Sequence, residues 1–91
     1  MKKVLFLISK VKRDGPNRVL ENMVKGLHKN EYEIFVLSFL KGSDIESVKL
    51  LENYGAKVIS LDLEKKIDIL KKGSSLVEKI IADNNIEIIH S

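Results

Sequence analysis

The chain contains no cysteine and no tryptophan, only one proline, and five aromatic residues in 91. The missing cysteines exclude disulfides, thiolate zinc sites and cysteine nucleophiles, and they fit a reducing cytoplasm. Two Tyr and three Phe are too few for a nucleic-acid surface built on base stacking, so no nucleic-acid partner is expected. The two histidines, His28 and His90, are far apart and neither shares a helix face with a second obvious ligand, so no metal site is expected. No apolar run approaches the ~20 residues of a membrane span. Met1-Lys2-Lys3 followed by Val4 to Ile8 has the outline of a signal peptide, but the apolar stretch is too short and no small-residue cleavage site follows. It reads as a strand. Nucleotide motifs are missing as well: neither G-x-G-x-x-G nor G-x-x-x-x-G-K-[ST] occurs, and no cofactor is expected.

What remains is an ordinary globular composition, 44% apolar and 32% charged, with a net charge of +3. The positive balance has two readings: a solvated lysine-rich surface, or affinity for phosphates and acidic membrane surfaces. Four short apolar runs alternate with segments of helical period. Strands are expected at Lys3–Ser9, Tyr32–Ser38, Lys57–Leu63 and Ile86–His90. A first helix is expected from Pro16 to His28, with Val19, Leu20, Met23, Val24 and Leu27 on its apolar side and Pro16 in the first turn, where its missing N–H costs nothing. Phe39–Gly42 reads as a loop. Ser43 and Glu46 have the spacing of a capping box, and Ile45, Val48, Leu51 and Tyr54 form the apolar stripe of the second helix. Gly55 is the expected left-handed cap that ends it.

From Glu64 to Lys72 the pattern is ambiguous: Ile67 and Leu70 suit one helical turn, and Gly73 interrupts it. Ser74 or Ser75 is then the expected cap of a third helix, with Leu76, Val77, Ile80 and Ile81 towards the sheet and Asp83-Asn84-Asn85 ending it. Lys65, Lys66, Lys71 and Lys72 around Ile67, Ile69 and Leu70 make either an amphipathic segment touching lipid or a solvated helix face.

Strand–helix alternation specifies an α/β fold: a Rossmann-like three-layer sandwich with a four-stranded parallel sheet in the order 3-2-1-4. The switch point of that order lies between strands 1 and 4. Gly15, Asn17 and Arg18, after strand 1, should therefore flank one crevice with His90, at the end of strand 4. Gly15 either admits a ligand close to the backbone or serves only the turn. Lys10, Lys12, Arg13 and Arg18 either make the crevice electropositive or are solvated. Arg18 opposes the dipole at a helix start, which favours a ligand or buried partner for it. His90 is either a hydrogen-bond donor or acid–base group towards a substrate hydroxyl or a structural histidine. His28 suits the negative end of its helix. Strand 4 has an open outer edge in this order, with Ile86, Ile88 and Ile89 on it and Glu87 as the only full charge. The isolated chain is expected to dimerise through that edge.

These residues resemble the start of a bacterial glycosyltransferase of the two-Rossmann-domain (GT-B) type, family 4. Lys2-Lys3-Val4-Leu5-Phe6-Leu7-Ile8 is similar to the family's first strand. Asp14-Gly15-Pro16-Asn17-Arg18-Val19-Leu20 is similar to its Gly-Gly-x-x-Arg-Val-Leu loop and helix start, with Asp14 in place of the first glycine and Asn17 where Glu is common. Leu51 to Ile59 resembles its helix-Gly-x-x-Val segment. Ile86-Glu87-Ile88-Ile89-His90-Ser91 resembles its Asp-Ile-Ile-His-x-His strand end, before the second His. The resemblance implies a retaining transfer of sugar from a nucleotide-sugar donor to a glycan or lipid acceptor, of the kind that builds cell-surface polysaccharide. It also implies no catalytic metal, and a cytoplasmic protein peripheral at the inner membrane face. Residues 1–91 would be the N-terminal, acceptor-side half of an incomplete GT-B N-terminal domain, inactive without the donor-binding domain. Two alternatives stand beside it: a stand-alone Rossmann-like or flavodoxin-like binding module, and a structural fragment assembling through its edge.

Overall fold

The computed structural model describes residues 2–12 and 15–90. Its elements in chain order are β1 (Lys3–Ile8), α1 (Gly15–Lys29), β2 (Glu33–Leu40), α2 (Ile45–Asn53), β3 (Ala56–Leu63), the short α3 (Lys66–Asp68), a π-helical turn (Ile69–Gly73), α4 (Ser74–Asn84) and β4 (Ile88–His90). The sheet is fully parallel and ordered β3-β2-β1-β4, as the alternation requires.

Strands β1 and β2 are apolar on both faces, and each face is covered. On one face Val4, Phe6, Ile34 and Val36 pack with Leu20 and Val24 of α1 and Leu51 of α2. On the other, Leu5, Phe35 and Leu37 pack with Val77, Ile80 and Ile81 of α4. The chain reverses direction across the sheet between β3 and β4 and changes face at the same step. That combination is what a single crossover hand demands. Leu5, Ile34, Val36 and Leu37 are fully buried.

Several local expectations need correction. Strand β2 runs on to Leu40, so Phe39 and Leu40 are strand rather than loop. Their ladder continues because the Leu40 N–H donates to the Ser9 carbonyl at 2.8 Å. The cap of α2 is Asp44, not Ser43: its carboxylate accepts from the Ser47 N–H at 3.1 Å and the Ser47 hydroxyl at 2.6 Å. Gly73 does not interrupt the third helical segment. It continues the turn in right-handed helical geometry and stands at the cap position of α4 with no side-chain cap, so neither Ser74 nor Ser75 caps the helix. Gly73 is buried, and an added Cβ would lie 3.2 Å from Cγ2 of Ile69 and 3.6 Å from the Phe39 ring. Close approach, not chain breaking, explains it. Leu76 is half-buried outside the cluster that Val77, Ile80 and Ile81 join. Strand β4 begins at Ile88, while Ile86 packs under α4. Val19 of α1 and Ile45 of α2 point away from the core despite their place in the apolar stripes.

At the carboxyl end of β3 the pairing slips: Ser38 faces Ser60, but Leu40 faces Leu63. The extra residue makes a bulge, and Asp62 takes it up with φ of 54°. At the amino end the exposed Lys57 ammonium donates to the Glu33 carboxylate at 2.9 Å. That bond holds the Glu33 carboxyl below its ordinary value. The pair therefore favours the folded state above the usual carboxylate range, and its contribution fades as pH falls through the lowered value.

Gly55 follows α2 with φ of +102°. The His28 ring, at the basic end of α1, occupies the space a Cβ would take: Cε1 would be 2.6 Å from it. Gly55→Ala is therefore expected to destabilise the chain by about 1–2 kcal/mol for the backbone alone, with a further steric part. Thermal unfolding of Gly55→Ala with and without His28→Ala checks this, because removing the ring should recover the steric part and leave the backbone part.

Candidate functional site

The first loop leaves β1 along a path set by a buried polar knot. Val11 is fully buried in the cluster beneath α1 and α2, although it belongs to a loop. Its N–H donates to the Ser43 hydroxyl at 3.0 Å, and its carbonyl accepts from the Asp44 N–H at 2.8 Å. The Ser43 hydroxyl lies 2.9 Å from that of Ser38, which is itself fully buried in β2. Ser43 thus ties the loop after β1 to the loop after β2, and Asp44 is left to cap α2. The Ser-x-x-Glu spacing at Ser43 was legible in the sequence. Its partner, a backbone N–H 32 positions earlier, was not.

With Val11 held inward, the neighbouring cations stay near the surface. Lys10 is partly buried, its ammonium placed over Gly42, and Lys12 is exposed. Arg13 and Asp14 lie outside the described residues. Helix α1 opens with Gly15 and carries Asn17 and Arg18 in its first turn. No acidic residue in that turn offsets the positive end of the dipole. Arg18 is exposed.

His90 ends β4 in register with Phe6 of β1, and the two rings stand 5.2 Å apart at 47°. Phe6 belongs to the face covered by α1, so His90 lies on α1's side of the sheet. Strand β1 continues two residues beyond Phe6. His90 therefore sits about 7 Å below the level at which the first loop departs, taking ~3.3 Å per strand residue. The start of α1 and His90 share one end and one face of the sheet. His90 is exposed, and its ring rests against Phe6.

The same end carries the exposed Lys41–Glu64 pair at 3.6 Å. A shallow depression of about 260 Å³, lined by Lys2, Asn30, Glu31 and Tyr32, lies at the opposite, amino end. It is open, and parallel sheets do not place ligands there. Among the described residues, no group of three or more His, Asp or Glu is placed to hold a metal ion, and no helix is long and apolar enough to cross a membrane. No protein-family model, curated protein or solved structure matches the chain.

Ser43→Ala should leave the part-buried Val11 N–H without its acceptor, costing about 1–2 kcal/mol. Amide hydrogen exchange read by NMR should show faster exchange at Val11, while the amides of β2 away from the loop keep their protection. Unchanged exchange at Val11 would show that the knot does not hold the loop.

Proposed function

We propose that residues 1–91 form the acceptor-side part of a retaining, GT-B type glycosyltransferase. The observation that carries this reading is the meeting of two resembling segments at the switch point of one sheet. The Asp14–Leu20 segment opens α1, with residues 15–20 helical, and the Ile86–Ser91 segment supplies β4, whose His90 lies on α1's side. A third segment, Leu51 to Ile59, spans the end of α2 and the start of β3, with Gly55 at positive φ where the family has its glycine.

In this reading the start of α1 faces the reacting sugars. Free N–H groups of the first turn and the Arg18 guanidinium suit a charge-bearing or hydroxyl-rich ligand. His90, supported by the Phe6 ring on one side, donates a hydrogen bond to a sugar hydroxyl or takes part in proton transfer. The nucleotide-sugar is held by a second Rossmann domain of the full-length protein, with its pair of glutamates. Transfer needs both halves around one reacting centre, because the rate gain depends on positioning the partners together.

Residues 1–91 alone are accordingly expected to show no glycosyl transfer and no nucleotide-sugar hydrolysis. Saturable turnover by the purified chain, lost in His90→Ala, would overturn the reading. Sequencing the gene beyond codon 91 is the direct test. An open frame encoding the second His and then a second Rossmann domain supports the proposal, and a stop codon there favours a stand-alone binding module.

The outer edge of β4 bears on the same question. Ile88 and Ile89 are 41% and 51% exposed, and among the described residues β4 pairs only with β1. In the proposed enzyme the sheet continues past this edge. In the isolated 91-residue chain the edge is expected to pair with that of a second copy, antiparallel about a two-fold axis. Light scattering across micromolar concentrations should report a dimer or larger species. A stable monomer with β4 ordered would contradict it.

A further inference from the structure

Burial divides the chain unevenly. Every buried apolar residue among the described ones lies between Val4 and Ala56. From Lys65 to His90, only Gly73 is buried among the described residues. Helix α4 has no buried residue, and all three residues of β4 are exposed. The larger cluster, under α1 and α2, is supplied wholly from residues 4–58. Strands β1, β2 and β3 with α1 and α2 therefore form a unit whose main cluster is complete without residues 65–90. That segment covers the second face with half-buried side chains, Val77, Ile80, Ile81 and Ile86 over Leu5, Phe35 and Leu37. Among the described residues, its side-chain hydrogen bonds stay inside it. The Asn84 amide donates to the Ile80 carbonyl at 2.9 Å, and the Lys65 N–H to the Asp68 carboxylate at 3.2 Å. Its backbone bonds to the sheet run along β4, in register with Val4 to Phe6, and from the Glu87 N–H to the Lys3 carbonyl.

We infer that residues 65–90 are a strap, which opens from the chain as one cooperative piece while β1, β2, β3, α1 and α2 stay folded. A segment with few buried contacts opens at a lower free energy than the core it covers. Opening exposes Leu5, Phe35 and Leu37 and leaves the cluster under α1 and α2 intact. Helix α4 and β4 leave together, because Ile86 joins them: its side chain packs in the same cluster and its N–H donates to the Ile81 carbonyl. His90 is the last residue of the strap. Its place on α1's side of the sheet, against Phe6, therefore exists only while the strap is closed. The start of α1 follows the Val11 knot and belongs to the unit that stays. The two parts of the candidate site thus lie on opposite sides of one opening, and a ligand touching both would hold the strap closed. This inference does not rest on the sugar-transfer reading, since any ligand bridging that crevice acts in the same way.

The test is native-state amide exchange of the 91-residue chain, read by mass spectrometry at high dilution so that pairing of copies through β4 adds no protection. After correction for intrinsic rates, α4 amides are expected to exchange at least about tenfold faster than those of Ile34 to Leu37. Their exchange should depend on denaturant, with a slope smaller than that of β2. Two variants separate the parts. Ile34→Val removes one methylene from the cluster under α1 and α2. It should speed β2 exchange about threefold or more and leave α4 unchanged, because the open form keeps that cluster. Ile81→Ala weakens the closed form alone, from which both openings start, so it should speed α4 and β2 by the same factor. Circular dichroism verifies that the variants fold, and Ile80→Val replaces Ile81→Ala should that chain not fold. A single rate and slope shared by α4 and β2, or an equal response of both to Ile34→Val, would overturn the inference. So would α4 exchange without denaturant dependence, which marks fraying rather than opening.

Discussion

Everything in this fold follows from strands that must be covered on both faces. β1 and β2 present apolar side chains to each side, with Leu5, Ile34, Val36 and Leu37 removed from water entirely. A sheet of this kind cannot leave one face to solvent, so helices have to lie on both. Connections long enough to carry those helices bring each strand back parallel to the last. Parallel strands, in turn, put every strand-to-helix loop at one end. The concentration of loops and helix starts at the carboxyl end is thus a consequence of how the core is buried.

Within that frame, polar contacts choose the loop conformation. Val11 could not be buried in a loop unless its backbone groups found partners, because an unpaired buried N–H is costly. Ser43 and the Asp44 backbone supply them, and Ser38 adds a hydroxyl from below. The knot lets the first loop be anchored inward at one residue and open outward at its neighbours. It explains how a segment rich in Lys and Arg can follow the apolar run Val4 to Ile8 without dragging charge into the core. On the other face, Gly73 lets the π-helical turn approach Phe39, which brings α4 against Leu5, Phe35 and Leu37.

The proposed sugar transfer would use the carboxyl end of the sheet, with the start of α1 above and His90 on the floor beneath it.

The amino-acid sequence by itself determined the element types, the parallel sheet and the order 3-2-1-4. Those depend on periodicity within short windows and on crossover geometry, and Val4 to Ile8 or Ile34 to Leu37 carry that signal locally. It also determined that Gly15 and His90, distant in the chain, end up at the same end of the sheet. Only the tertiary structure decided which side chain caps α2 and which one ties the loops together, because Ser43 and Asp44 are both competent caps and the choice is made by Val11. It decided that Gly73 is a packing contact rather than a break, since that depends on Phe39 lying opposite. It decided, too, that Val19 and Ile45 face outward. A helical stripe is wider than the contact a sheet offers near a helix start, and where the sheet ends the stripe continues into solvent.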